Sequence, residues 1–136
     1  MEKIAVFPGS FDPFTIGHEE IVRRGLKLFD KIIIAVGLNP VKKEFLSTDC
    51  RIRLIKKAFE DTDRVSVEPY SGLTVDFCER VNSHIIIRGL RTAADFEYER
   101  AVGQANRAMD GRIETVFILT STIHTFVSST IVRNIY

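Results

Sequence analysis

The sequence has 136 residues, 45% of them hydrophobic, and its 19 basic residues nearly balance 18 acidic ones to leave a net charge of +1. This length suits one domain with its own core, and the charge balance argues against non-specific binding to nucleic acid or anionic membranes. No apolar run approaches the roughly 20 residues that span a bilayer, and the amino terminus lacks a signal-peptide pattern, so we expect a single cytoplasmic domain over residues 1–136. Cys50 and Cys78 lack metal-ligand spacing, which favours free thiols over a disulfide or a zinc site.

Short apolar runs alternate with helical patterns along the whole chain. Strands are predicted at residues 3–7, 31–38, 65–68, 85–87 and 115–119. Helices are predicted at about residues 17–29, 48–60, 74–82 and 93–109, and a last one near Ser128. Continuous apolar strands between helices indicate an α/β fold, a doubly wound five-stranded parallel sheet with helices on both faces. Ligands of such sheets bind beyond the carboxyl ends of the strands, where the strand order reverses.

The segment 6–18 joins the first predicted strand to the first predicted helix. Its two prolines and two glycines predict that the strand stops and that a sharp turn follows. Gly17 and His18 would then lie in or near the first helical turn, where backbone N–H groups and the helix dipole bind anions. Gly9 would let the backbone approach a ligand, Ser10 offers a hydroxyl, and His18 offers a donor whose charge can vary near neutral pH. These features predict a nucleotide-phosphate site.

Polar segments also follow the other predicted strands, at residues 39–43, 69–74, 88–91 and 120–130. Because the carboxyl ends of parallel strands share one edge of the sheet, we expect these segments to converge in one crevice. Arg88 and Arg91 suit bidentate contacts with phosphates, and Gly89 between them permits a close backbone approach. The loops 39–47 and 120–127 are candidate lids.

The first motif, Gly-Ser-Phe-Asp-Pro followed by Gly-His, resembles the signature of the nucleotidyltransferase superfamily. Three later segments, residues 88–91, 94–99 and 127–130, resemble the motifs of the bacterial phosphopantetheine adenylyltransferase family in order and spacing. The resemblance covers about residues 3–135. It implies a Rossmann-like fold and direct in-line transfer of AMP from ATP to 4'-phosphopantetheine, which yields dephospho-coenzyme A and pyrophosphate in coenzyme A biosynthesis. It further implies coenzyme A as a feedback ligand and a homohexamer. The chemistry of ATP implies Mg²⁺ as cofactor, with no metal ligand assigned to the chain.

The resemblance also assigns site residues. Catalytic roles fall to His18, Lys42 and Arg91. The residues expected to bind ATP are Ser10, Phe11, His18, Gly89, Leu90, Arg91, Glu99, His124, Thr125, Phe126, Val127, Ser128, Ser129 and Thr130. The residues expected to bind 4'-phosphopantetheine are Ser10, Lys42, Thr74 and Arg88.

Plainer interpretations stay open for several of these residues. His18 could cap or pack against its own helix, and Ser10 could be a simple turn hydroxyl. Lys42 could be a solvated loop lysine, with Lys43 next to it as an alternative. The two arginines could pair with Glu97 and Glu99, and the hydroxyls of residues 127–130 could form an ordinary helix N-cap.

Other nucleotidyltransferases share the first motif, and two departures from the family pattern leave a non-catalytic function open. Residues 121–126 differ from the expected sequence before the last motif, and the usual carboxyl-terminal helix is short or missing. The alternatives are another nucleotidyltransferase, such as a cytidylyltransferase or a nicotinamide-nucleotide adenylyltransferase, and a non-catalytic protein that binds nucleotide or coenzyme A.

Overall fold

The computed structural model describes residues 2–41 and 43–120. Over these residues the elements are β1 (Ile4–Gly9), α1 (Ile16–Gly25), β2 (Lys31–Gly37), α2 (Thr48–Ala58), β3 (Val65–Tyr70), α3 (Thr74–Val81), β4 (Ile85–Leu90), α4 (Ala93–Met109) and β5 (Glu114–Leu119). The five strands form one parallel sheet in the order β3-β2-β1-β4-β5. The order reverses between β1 and β4, which confirms the doubly wound α/β prediction. Lys42 and the predicted last helix near Ser128 lie outside the described residues.

The core is divided by the sheet into two layers. On one face, Ile21 and Val22 of α1 and Ile55 of α2 pack against alternate strand residues such as Ile32 and Ile34. On the other face, α3 supplies a second cluster, whose buried members are Val6, Ile33, Ala35, Val75, Phe77, Cys78, Ile86 and Ile113. α4 lies on this second face, where Gly103 approaches Thr115 of β5. Both faces of the sheet are therefore covered, as continuous apolar strands require.

β1 is longer than predicted, and the expectation that Pro8 and Gly9 end the strand is wrong. Both residues pair with β2, opposite Ala35 and Val36. On its other side, β1 pairs with β4 only at Val6 and Ile86. The missing N–H of Pro8 therefore costs few hydrogen bonds between β1 and β4. The carbonyl of Pro8 instead accepts a hydrogen bond from the Arg88 guanidinium.

β4 also continues beyond its predicted end. Residues 88–90 pair with residues 117–119 of β5, so Arg88, Gly89 and Leu90 lie within the strand and only Arg91 follows it. β3 likewise includes Pro69, which an edge strand tolerates. These strands therefore end at later residues than the apolar runs indicate.

The helices agree with their predicted positions, with differences at their carboxyl ends. α1 ends at Gly25 rather than near residue 29, and α2 ends at Ala58 rather than near residue 60. α3 ends at Val81 because Asn82 adopts the left-handed conformation typical of helix ends. α4 has the predicted bounds, with Thr92 as its N-cap. None of the helices in the described ranges combines the length and apolarity needed to cross a bilayer.

Candidate active site

The turn after β1 brings Phe11 into an unusual backbone conformation. Phe11 has φ of 50°, in the left-handed region that non-glycine residues rarely adopt, and a cis peptide joins Asp12 to Pro13. The Phe11 ring is buried and contacts Gly9, where an added Cβ would lie 2.9 Å from the ring atom Cζ. A glycine is therefore needed at position 9 to make room for this ring, whether or not a ligand also approaches the backbone there.

His18 caps the helix on which it lies. Thr15 is the N-cap of α1, and its backbone N–H donates to Nδ1 of His18 at 2.9 Å, while the His18 N–H donates to Thr15 Oγ1 at 3.4 Å. Because Nδ1 accepts a hydrogen bond from a backbone N–H, the ring proton of the neutral imidazole lies on Nε2. The capping interpretation is thus correct, and it leaves Nε2–H as the donor for a ligand.

Three aromatic rings surround the His18 imidazole, and two arginines act on its pKa through their charge. Phe14 stacks on it with centroids 5.4 Å apart, and Phe11 meets it edge-on at 5.1 Å. Burial lowers the pKa of His18 from 6.5 to about 4, with further lowering by the positive charges of Arg88 and Arg91. The expectation of a charge that varies near neutral pH is therefore wrong, because His18 is a neutral donor there.

Arg88 forms a two-pronged ion pair with Glu99. Its Nε donates to Glu99 Oε1 at 2.9 Å and its Nη2 donates to Oε2 at 2.8 Å, with the side chains 29% and 10% exposed. A third donor, Nη1, contacts the Pro8 carbonyl across the switch point of the sheet. The predicted pairing of Arg88 with Glu99 is thus present, whereas Glu97 contacts Arg100 at 3.2 Å.

Arg91 lies at the start of the loop that leads into α4. Its Nε is 3.3 Å from Asp95 Oδ2, and its backbone N–H donates to the same oxygen at 3.3 Å. Gly89 precedes it inside β4, where an added Cβ would lie 3.0 Å from two side-chain atoms of Ile21. The glycine thus lets α1, the helix that carries His18, pack closely on β4.

An open groove of about 150 Å³ lies beside Arg88, between the sheet, α3 and α4. Thr74 and Glu99 line it together with Arg88, so the structure brings two of the predicted 4'-phosphopantetheine residues into one cavity. Tyr98, Val102 and Asn106 of α4 line the same groove, and sequence reasoning assigned none of the three to a ligand. Their spacing of four residues on a predicted helix is the signal that could have identified this face.

Ser10 lines a second, smaller cavity rather than this groove. Asp12, Asn39, Lys43 and Arg51 also contribute to it. The structure therefore distributes the predicted site residues over two neighbouring cavities at the carboxyl edge. Lys42 and residues 124–130 lie outside the described residues.

The described residues include one group with the composition of a metal site, and it lies at the opposite edge of the sheet. Glu79 and His84 precede β4 and Asp110 precedes β5, so the group is at the amino ends of the strands. Arg112 donates to both carboxylates. At the carboxyl edge, the Asp12 oxygens accept backbone N–H groups at 2.7 Å and the Glu99 oxygens accept from Arg88. Asp12 and Glu99 therefore form hydrogen bonds within the protein at this edge.

Comparison with known proteins identifies the family. The Cytidylyltransferase-like family profile matches residues 6–135. The chain is 50% identical over 131 residues to the phosphopantetheine adenylyltransferase of Flavobacterium johnsoniae, covering 96% of this chain and 86% of that protein. It is 49% identical over 136 residues to the phosphopantetheine adenylyltransferase of Cytophaga hutchinsonii, covering 100% of this chain and 91% of that protein.

Solved structures support the fold at lower sequence identity. The chain superimposes with a TM-score of 0.69 on a bifunctional NMN adenylyltransferase/ADP ribose pyrophosphatase from Francisella tularensis, complexed with AMP and a manganese ion. That match has 19% sequence identity and covers 98% of this chain and 41% of the other. A lipopolysaccharide core biosynthesis protein from Thermoplasma volcanium gives a TM-score of 0.61 at 18% identity, covering 89% of this chain and 98% of the other. These structures support the fold, and the family profile together with the sequence relatives shows that the chain belongs to the cytidylyltransferase-like family and, within it, to the phosphopantetheine adenylyltransferases.

Proposed function

We propose that this protein transfers AMP from ATP to 4'-phosphopantetheine and releases dephospho-coenzyme A and pyrophosphate. Relatives of this name are about half identical along nearly the whole chain. The observation in the structure that supports the proposal best is the neutral His18 imidazole, whose tautomer is set by Thr15 and whose pKa is lowered by burial and by the positive charges of Arg88 and Arg91. This arrangement suits a reaction in which negative charge grows on phosphate oxygens.

In the proposed reaction, an oxygen of the 4'-phosphate attacks the α-phosphorus of ATP in line. The new P–O bond forms as the bond between the α-phosphorus and the bridging oxygen to the β-phosphate breaks, and the electron pair leaves with pyrophosphate. No covalent intermediate with the enzyme is needed, so positioning and electrostatic stabilisation supply the rate enhancement.

His18 would donate its Nε2–H to a non-bridging oxygen of the α-phosphate. A neutral imidazole keeps this proton throughout, so it stabilises developing charge without an accompanying proton transfer. Ser10 and the Phe11 N–H would bind phosphate oxygens at the turn, and Gly89, Leu90 and Arg91 would bind the ATP phosphates from the end of β4.

The groove beside α4 would hold the acceptor. Arg88 would bind the 4'-phosphate, with Glu99 fixing its guanidinium through two hydrogen bonds. The pantetheine arm would extend past Thr74 toward Asn106, along a surface that also contains Tyr98. In this arrangement Glu99 would help to bind 4'-phosphopantetheine by orienting Arg88, in addition to any contact that it makes with the nucleotide.

The proposal keeps the roles that the family pattern gives to residues outside the described ranges. Lys42 would contact the transferring phosphates, and residues 124–130 would bind the nucleotide. We further propose a homohexameric assembly, feedback by coenzyme A, and a cytoplasmic location, where a donor such as ATP is abundant.

Mg²⁺ would enter with the nucleotide. Since Asp12 and Glu99 are engaged with backbone and guanidinium groups, the ion would be held by phosphates and water. When bound, it would neutralise charge on the phosphates.

A pyrophosphate-release assay tests the proposal. ATP with 4'-phosphopantetheine should release pyrophosphate, whereas CTP with the same acceptor and ATP with nicotinamide mononucleotide should not. Release only with nicotinamide mononucleotide or with CTP would assign the protein to another nucleotidyltransferase activity.

Substitution of His18 separates catalysis from binding. His18→Ala should lower kcat by about 10²–10³-fold, as loss of one transition-state donor does, and change the Kd for ATP little. His84→Ala is the matched control, because His84 lies at the amino edge against Glu79, and it should leave both quantities unchanged. Equal effects of His18→Ala on affinity and turnover would favour a nucleotide-binding protein over an enzyme.

A further inference from the structure

The peptide group between Ser10 and Phe11 is held from one end by a buried arginine. Arg51 of α2 is 3% exposed, and its Nη1 donates to the Ser10 carbonyl at 2.7 Å. Its Nη2 donates to Glu44 Oε1 at 2.8 Å and to Thr48 Oγ1 at 3.0 Å. Arg51 therefore connects α2 to the turn that precedes His18 by eight positions in the chain.

The orientation of this peptide determines where the Phe11 N–H points. In a planar trans peptide, the C=O and N–H bonds point in opposite directions. A guanidinium that holds the Ser10 carbonyl on the α2 side therefore directs the Phe11 N–H away from α2. The positive charge of the Arg51 guanidinium, which is hydrogen-bonded to the carbonyl, also polarises the peptide group and so strengthens its N–H as a donor.

The turn itself is under conformational strain, so it needs such restraints. Phe11 adopts φ of 50°, which a non-glycine residue keeps only when its surroundings enforce it. Its ring is enclosed by Phe7, at 5.0 Å between centroids, and by His18. On the other side, Asp12 accepts the N–H groups of Phe45 and Leu46, each at 2.7 Å.

Arg51 has features that stability alone does not explain. A buried guanidinium loses its hydration, and replacement by an apolar side chain of similar size is often neutral or stabilising. The Arg51 Nε is buried and has no hydrogen-bond partner among the described residues, so the side chain bears a further desolvation cost. Its shortest hydrogen bond goes to the backbone of the phosphate turn, at the Ser10 carbonyl, and its other two go to the side chains of Glu44 and Thr48.

We propose that Arg51 is a positioning residue for adenylyl transfer, which holds the Ser10 carbonyl so that the Phe11 N–H is aimed at a phosphate oxygen of the nucleotide. This inference rests on the proposed function of the site. Arg51 acts through the peptide group and does not itself touch the substrate.

The first test follows the Phe11 amide in the unmodified protein by NMR. On addition of ATP, the Phe11 amide proton should move downfield, together with changes at His18 and Arg91. If ATP perturbs His18 and Arg91 but leaves the Phe11 amide unchanged, the positioning role is overturned while the proposed function stands. If ATP perturbs none of them, the proposed function itself fails.

The second test replaces the guanidinium. Arg51→Met fills similar space without the hydrogen bond to the Ser10 carbonyl. In the folded variant kcat should fall by about 10- to 100-fold, which is less than the loss expected when a transition-state donor is removed altogether. The downfield shift of the Phe11 amide with ATP should also be lost. Arg53→Met, at an exposed arginine on the same helix, is the matched control and should change neither. A folded Arg51→Met variant with normal kcat and a normal amide response would overturn the proposal.

A second variant covers the case in which Arg51→Met does not fold. Arg51→Lys keeps the charge but lacks the fork that reaches the Ser10 carbonyl and Glu44 together. It should show the same direction of change, with kcat lowered at least about threefold and a weakened Phe11 response. Unchanged kcat and an unchanged response in Arg51→Lys would contradict the proposal.

Discussion

The protonation of His18 makes a quantitative prediction about stability. In the folded protein the pKa of His18 is about 4, whereas its ordinary value is 6.5. Above pH 7 the imidazole is neutral in both the folded and unfolded states, so it contributes no pH dependence. Between 6.5 and 4 the unfolded chain binds a proton that the folded protein does not, so stability falls as the pH decreases.

The size of this effect follows from the two pKa values. At pH 5 the imbalance in proton binding lowers the free energy of unfolding by about 2 kcal/mol relative to pH 8, and by about 3 kcal/mol once the pH is below 4. Urea denaturation at pH 8 and pH 5 measures it, with His18→Gln as the reference that lacks the titrating ring. The free-energy gap between the two proteins should shrink by about 2 kcal/mol on going to pH 5.

NMR of the imidazole gives the decisive comparison. The His18 ring signals should not titrate above pH 5, and the ¹⁵N shifts should show a proton on Nε2 and none on Nδ1. A pKa near 6.5, a gap that does not change with pH, or a proton on Nδ1 would refute the reasoning from Thr15 and from the buried aromatic surroundings.

Three further predictions concern packing and burial. Gly25→Ala places a Cβ 2.8 Å from a buried isoleucine methyl and should cost about 1–3 kcal/mol by urea denaturation, whereas Gly111→Ala, with open space around it, should cost almost nothing. Ser83→Ala removes a buried donor to the first carbonyl of β1 at 2.6 Å and should destabilise by about 1–3 kcal/mol in the same assay, a loss that a neutral result would contradict. Burial raises the pKa of the Cys78 thiol to about 11, so a thiol reagent at pH 8 should modify Cys50 in the native protein and Cys78 only after unfolding; rapid labelling of Cys78 would contradict its burial.

The fold could be predicted from the sequence because the strands are apolar on both faces. This pattern specifies a covered parallel sheet, and the helical spacing between the strands supplies its layers. The strand ends were harder to predict. β1 and β4 run on through Pro8 and Arg88, since pairing with neighbouring strands decides where a strand ends and the local sequence does not reveal the neighbours.

The sequence predicts which residue types form the site, but it does not predict their packing or their electrostatics. The glycines near the motifs were interpreted as openings for a ligand, but Gly9 accommodates the Phe11 ring and Gly89 accommodates Ile21. The loss of charge on His18 depends on burial and on two arginines that are far from it in the chain, so no local sequence pattern reveals it. The contact of Gly9 with Phe11 is local but depends on the conformation of the turn, whereas the other properties arise from packing between elements far apart in the chain.

No role is predicted for Arg51 from the sequence, although the sequence contains a signal for one. It precedes the buried residues Ile55 and Phe59 at intervals of four, so it lies on the apolar face of the predicted helix. A charged side chain on such a face must be paired with something, and this would have marked it as a residue of interest. Its partner, the Ser10 carbonyl, could be found only from the structure.

A crystal structure with the product dephospho-coenzyme A tests the central claim most directly. We expect a non-bridging oxygen of the adenylyl phosphate within hydrogen-bond distance of His18 Nε2 and of the Phe11 N–H, with the pantetheine-side phosphate on Arg88 and the pantetheine arm in the α4 groove. A bound product whose phosphates lie away from His18 and from both arginines would contradict the account.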